Sequence, residues 1–150
     1  MLNGVALVDH VAAALRPQVD GLVIVGRDWP GLVSVADRPA PGLGPLGGLC
    51  AALHHGRSIG AADVLVVGCD TLPLPGDLGQ RLAPGPAVVE GQWNIGLWPV
   101  ALADELEAWL RAPRKHSWRA WMELTGARMI PFSEDFANIN RPDDLARLQP

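Results

Sequence analysis

An α/β fold with a mostly parallel sheet is predicted for this chain from three observations. Two apolar, β-branched runs, Gly21-Leu-Val-Ile-Val-Gly26 and Val64-Leu-Val-Val67, are bounded by turn residues and read as strands covered on both faces. Segments with helical spacing fall between such runs, the alternation from which parallel sheets are built. The chain has 150 residues, 49% hydrophobic and 19% charged, which suits one globular domain with a real core. Neither an internal repeat nor a linker divides it, so residues 1–150 are expected to form a single domain.

The elements follow in order. Val8 to Leu15 is apolar and alanine-rich and stops at Arg16-Pro17, as a helix does. The strand from Gly21 to Gly26 follows, then a short strand at Val33–Val35. Asp37 to Gly48 is rich in proline and glycine and reads as loop, opening into helical spacing from Leu46 to His55. The strand Val64–Val67 ends in Gly68-Cys69-Asp70-Thr71. Pro75 to Leu82 reads as a short helix with proline near its start. Ala87–Glu90 and Asn94–Trp98 read as strands, and Ala101–Arg111 and Ser117–Leu124 as amphipathic helices. Arg128–Phe132 is expected as an edge strand and Pro142–Leu148 as a last helix.

Composition excludes several classes of function. The formal net charge is −4, from 12 basic and 16 acidic residues, so no broad attraction to nucleic acid is expected. No apolar run approaches the length of a membrane span, and the N-terminus has no charged segment before an apolar stretch. Cys50 and Cys69 form no CxxC pair and read as two reduced thiols. A cytoplasmic protein is expected.

Four constellations could carry chemistry. Gly44-Pro-Leu-Gly-Gly48 opens a helix, where glycines allow close approach of a ligand and free N–H groups meet an anion; an ordinary turn would look the same. Asp70 stands at the carboxyl end of a strand, where ligands bind in open α/β sheets, and a carboxylate there can hold Mg²⁺ against phosphates. In Asn138-Ile-Asn140, Asn140 reads first as a helix N-cap, while Asn138 is free to face a ligand. Trp109, Trp118 and Trp121 read as core or interface residues, and nearby Arg114, Lys115 and Arg119 as a solvated face. His10, His54, His55 and His116 lack metal-site spacing and receive no chemistry.

Taken in order, these pieces resemble the molybdenum cofactor guanylyltransferases, the MobA-type family. Leu2-Asn3-Gly4, Leu7, His10-Val11 and Arg16-Pro17-Gln18-Val19-Asp20 match the segment after that family's signature loop. Asp37, Gly44 to Gly48, Cys69-Asp70-Thr71 with Pro73, Leu97-Trp98-Pro99, and Asn138-Ile139-Asn140 with Pro142 and Leu145 match in turn. The resemblance implies a Rossmann-like three-layer α/β/α fold of the nucleotide-diphospho-sugar-transferase type. It implies transfer of GMP from GTP to molybdopterin with release of pyrophosphate, and Mg²⁺ as cofactor. By the same resemblance Asp37, Gly44, Pro45, Leu46, Gly47 and Gly48 would lie by the nucleotide. Asp70 would bind the metal as the catalytic carboxylate, and Asn138 and Asn140 would line the pterin side. A homodimer and contacts with other molybdenum cofactor biosynthesis proteins are the further partners it suggests.

The chain also departs from the family. Met1 stands just downstream of the first strand and the glycine-rich phosphate loop with its following lysine, and Lys115 is the only lysine. The expectation is that the reading frame starts upstream. Without that central strand, the strands at Leu22–Val25 and Val64–Val67 would each have an unpaired edge, so the chain is expected to be weakly stable, rearranged or paired with a second copy. Arg27 or Asp28 stands where many relatives carry asparagine, and Gln92-Trp93-Asn94 replaces a frequent His-Pro. Two alternatives stay open: a non-catalytic relative that binds a pterin or a protein, and a transferase of this fold using CTP or a sugar phosphate.

Overall fold

The computed structural model describes residues 1–138, so the expected last helix and Asn140 lie outside the described residues. Helix α1 (Leu7–Leu15) leads into β1 (Val23–Val25) and β2 (Val33–Val35), which pair in parallel. Helix α2 (Pro45–Ser58) and β3 (Asp63–Val66) follow, then β4 (Thr71–Leu72), α3 (Leu78–Leu82), β5 (Ala87–Val89) and β6 (Gln92–Pro99). Helices α4 (Ala103–Arg111) and α5 (Trp118–Thr125) precede β7 (Arg128–Ile130) and β8 (Ala137–Asn138).

The main sheet has the order β3-β6-β5-β7. β6 is antiparallel to β3 and to β5, and β5 is parallel to β7, so three of its four strands run one way and only β6 opposes them. The fold is α/β with a mixed, mostly parallel sheet. Opposed β6 follows from sequence: only Glu90 and Gly91 separate it from β5, and Gly91 takes φ +80, so the pair must be a hairpin. β7 lies at the sheet edge, as expected from Arg128–Phe132.

Alternation on the strands sorts the core into layers. Val88 and Trp98 face a cluster with Leu49, Leu53, Leu106 and Trp121, supplied by α2, α4 and α5. Ala87, Val89, Ile95 and Leu97 face the opposite side with Leu78, Leu82 and Phe136. A third cluster joins Val11 and Leu15 of α1 to Leu2 and Leu72. Trp121 is fully buried, its ring centroid 6.1 Å from that of Trp98 and 5.5 Å from that of Trp109, which bears out the core reading of these tryptophans.

Some elements differ from expectation, each for a physical reason. The helix expected from Pro75 begins at Leu78, because Gly76 costs helix entropy in the first turn. β1 is shorter than its glycine-bounded run because its partner β2 has only three residues. Val64 to Val67 are half-buried, although their apolar run predicts full cover. Among the described residues β3 pairs only with β6 and β1 only with β2, so each keeps one side without a neighbouring strand.

Candidate functional site

The carboxyl ends of β1 and β3 open onto one cleft of about 410 Å³. Arg27 and Trp29, just past β1, line it together with Cys69 and Asp70, just past β3, and with Leu7 and Val8 of α1. This is where an open α/β sheet offers its strand-end loops to a ligand. The Arg27 guanidinium stands 5.1 Å from the Trp29 ring centroid and has no acidic partner among the described residues. Trp29 is fixed from behind, its indole N–H donating to Asp9 Oδ1 on α1 at 2.8 Å. Asp70 is half-buried and likewise makes no ion pair among the described residues, so a cation and a carboxylate are both available at the cleft.

Cys69 shares the cleft. Desolvation pushes its thiol up, Arg27 opposes that and Asp70 adds to it. It is therefore a neutral thiol at pH 7 rather than a nucleophile. Beside it, β4 pairs with β8 so that Thr71 faces Asn138 across the ladder. Two predicted site positions, Asp70 and Asn138, are thus brought to one corner by backbone pairing between segments far apart in sequence.

The other predicted group also assembles. Gly44 takes φ +66 as the residue before α2, with Pro45 at the first helical position, so the turn predicted from the glycines is real. Leu46 and Gly47 are buried in the first turn, and the Arg38 N–H donates to the Gly47 carbonyl at 3.2 Å. That bond docks the Asp37 loop onto α2. A methyl placed on Gly26 would stand 3.5 Å from Asp37 Oδ2, and one on Gly48 would stand 3.8 Å from Asp37 Oδ1. Asp37 therefore spans the gap between the end of β1 and the start of α2, over three glycines that leave room beside it. The Gly26 N–H donates to the Val35 carbonyl at 2.9 Å and holds the ends of β1 and β2 together.

A cluster that sequence reasoning passed over lies on the other side of α2. Ligand-type atoms of Cys50, His54 and Glu107 fall within 4.8 Å of one another. The four-residue spacing of Cys50 and His54 on a helix was the readable signal. Its hydrogen bonding is that of an ion-pair network. Arg38 donates to Glu107 through Nε and Nη2 at 3.2 and 3.1 Å, and Arg57 links His54 Nδ1 to Asp104. Because Arg57 donates to Nδ1, the neutral ring carries its proton on Nε2, which points at Glu107 Oε2 at 3.4 Å. A cation at Nε2 would need that proton on Nδ1 and the Arg57 contact broken. Burial pushes the Cys50 thiol up to about 11, with Glu107 adding to it, so it too is un-ionised at neutral pH.

Mg²⁺ can be tested against the donors present. The ion prefers hard oxygen ligands and is held by one or two carboxylates together with substrate phosphates. Asp70, half-buried at a cleft with no competing ion pair, fits; the Cys50 cluster, with its soft sulfur and its arginines, does not.

Comparison with known proteins agrees with this arrangement. A family model described as the MobA-like NTP transferase domain matches residues 1–128. A molybdenum cofactor guanylyltransferase of Rhodobacter capsulatus is 37% identical over 99% of this chain and 83% of its own length. Others from Rhizobium meliloti (strain 1021) and Sinorhizobium fredii (strain NBRC 101917 / NGR234) are 34% and 32% identical, over 99% and 97% of this chain and 81% and 79% of their own lengths. Matched over most of its length by that family model and by these relatives, the chain belongs to the MobA-like NTP transferase family.

Proposed function

We propose that the chain is a molybdenum cofactor guanylyltransferase, transferring GMP from GTP to the phosphate of molybdopterin with release of pyrophosphate. The observation that carries this reading is the cleft at the carboxyl ends of β1 and β3, where Asp70 and Arg27 offer a carboxylate and an unpaired cation. A phosphate oxygen of the pterin attacks the α-phosphorus of GTP, the new P–O bond forms as the bond to the β-phosphate breaks, and pyrophosphate leaves with the electron pair. Asp70 would hold Mg²⁺, which when bound neutralises charge on the leaving pyrophosphate. Arg27 faces the same cleft and meets phosphate charge directly.

Asp37 supplies base selectivity. An ionised carboxylate only accepts hydrogen bonds, and guanine presents N1–H and the 2-amino group side by side as donors. Cytosine pairs its amino donor with acceptors and fits such a group poorly. Asn138, whose strand runs beside Asp70, and Asn140 are assigned to the pterin side. Cys69 stays a thiol, so transfer proceeds directly to the acceptor without a covalent intermediate on this side chain.

The test is to incubate the chain with molybdopterin, Mg²⁺ and either GTP or CTP, following pyrophosphate and the dinucleotide product by mass. Product with GTP is expected, lost by about a hundredfold or more in Asp70→Asn. Pterin binding with no pyrophosphate would move the chain to the non-catalytic class, and equal rates with CTP would remove the role given to Asp37.

A further inference from the structure

Gly68 follows β3 and has no room for a side chain. A methyl there would stand 2.7 Å from Thr71 Oγ1, 3.1 Å from Asp70 Oδ1 and 3.3 Å from Asn94 Nδ2. Three polar atoms therefore converge on one α-carbon at the end of the strand that delivers Asp70. Two of them come from the loop itself. The third comes from β6, and two features of that strand explain its arrival.

The ladder between β3 and β6 runs from Asp63 opposite Pro99 to Val66 opposite Gly96. The same register carried two residues further sets Asn94 opposite Gly68. On its other side β6 slips against β5: Val88 faces Gly96 while Val89 faces Gln92, so the stretch holding Asn94 bulges away from β5. Bulges occur beside active sites, where they re-aim side chains. The flip is visible in the core as well. Trp93 packs into the same cluster as Trp98, which strict alternation across five positions would forbid.

We propose that Asn94 is a positioning residue for Asp70, its amide nitrogen holding the carboxylate so that a free oxygen faces the cleft and the metal–triphosphate. This rests on the reading of Asp70 as the metal ligand. An amide is the suitable chemistry: it donates without adding charge, whereas a lysine would neutralise the carboxylate and an acid would repel it. Gly68 is what permits the approach, since any side chain there would push the amide and the carboxylate apart.

Mn²⁺ titrated into the chain with GTP, with free Mn²⁺ read by electron paramagnetic resonance, tests this on binding rather than turnover. Asn94→Ala and Asn94→Leu both remove the donor but differ in volume, and Asn94→Ser restores a donor. The expectation is about ten- to a hundredfold weaker Mn²⁺ binding in the alanine and leucine variants, with partial recovery in serine. Near-UV circular dichroism and the urea midpoint, read in parallel, identify any variant whose loss reflects unfolding, and the remaining substitutions then decide. If Asp70→Asn loses Mn²⁺ while the folded Asn94 variants bind as the parent does, the role of Asn94 is overturned and that of Asp70 stands. If Asp70→Asn binds Mn²⁺ unchanged, or the unsubstituted chain binds none, the reading of Asp70 itself falls, and this inference with it.

Discussion

Asp37 lies beside glycines at the end of β1 and in the first turn of α2, and the room they leave suits a planar base against its carboxylate. Its selectivity is best tested with inosine triphosphate, which lacks only the 2-amino donor of GTP. Asp37→Ala is expected to raise the KM for GTP by about ten- to a hundredfold, because a hydrogen bond to a charged group contributes roughly 1.5–3 kcal/mol. The same substitution should erase the preference for GTP over inosine triphosphate in initial-rate measurements. His54 belongs to the same scale and has a different readout. Desolvation, with Arg38 and Arg57, depresses its protonation against the pull of Glu107 and Asp104. The folded state then binds fewer protons than the unfolded chain, whose imidazole titrates near ~6.5. Stability from this residue is present above that pH and lost as pH falls through the lowered folded value. The carboxyls behave separately. Arg57 holds Asp104 low. Desolvation works to raise Glu107, but Arg38, His54 and Arg111 bring it below its usual range, so these acids act only at more acidic pH. Thermal melts across pH 5–8 should therefore show a loss on acidification that flattens in His54→Gln.

At the scale of elements, α5 was legible because its ends are local. The Ser117 hydroxyl accepts from the Ala120 N–H at 3.2 Å, and Gly126 takes φ +68 just past the last turn. Ser117→Ala is expected to cost about 1 kcal/mol, read as a shift in the urea midpoint at unchanged slope. A larger loss should follow from Gly56→Ala in α2, where a methyl would stand 2.8 Å from Val64 Cγ2 and 3.1 Å from Val100 Cγ1. Overpacking of this kind costs about 1–3 kcal/mol. What the sequence concealed is the partnering of distant segments. β4 and β8 have two residues each, too few for a periodic signal, and their pairing is what sets Asn138 beside Asp70. Asn94 was hidden for a related reason. It reads as one polar residue in an apolar strand, and only the slip of β6 against β5 reveals where it points.

For the whole molecule, the candidate site is divided between two sheets. Asp37 belongs to the β1–β2 pair, Asp70 to the end of β3 in the main sheet, and α2 packs against both. The order of motifs along the chain was enough to predict that these residues act together, since strand-end loops in α/β folds collect at one edge. The cleft between them was not readable, because it depends on how the loops after β1 and β3 approach α1. The same packing separates the two thiols. Cys50 is fully buried under α4, whereas Cys69 is exposed beside the cleft. An alkylating reagent should label one equivalent, at Cys69 and slowly, and reach Cys50 only on unfolding, as peptide mass mapping would show. Among the described residues no helix is long and apolar enough to cross a membrane.

The central claim is that Asp37 and Asp70 serve one nucleotide. A crystal structure of the chain with GTP and Mn²⁺, collected at the manganese absorption edge, tests it most directly. The account predicts an anomalous peak within about 2.2 Å of an Asp70 carboxylate oxygen, the triphosphate in the cleft beside Arg27, and the guanine edge on Asp37. A manganese peak at the Cys50–His54–Glu107 cluster, or a base bound away from Asp37, would contradict it.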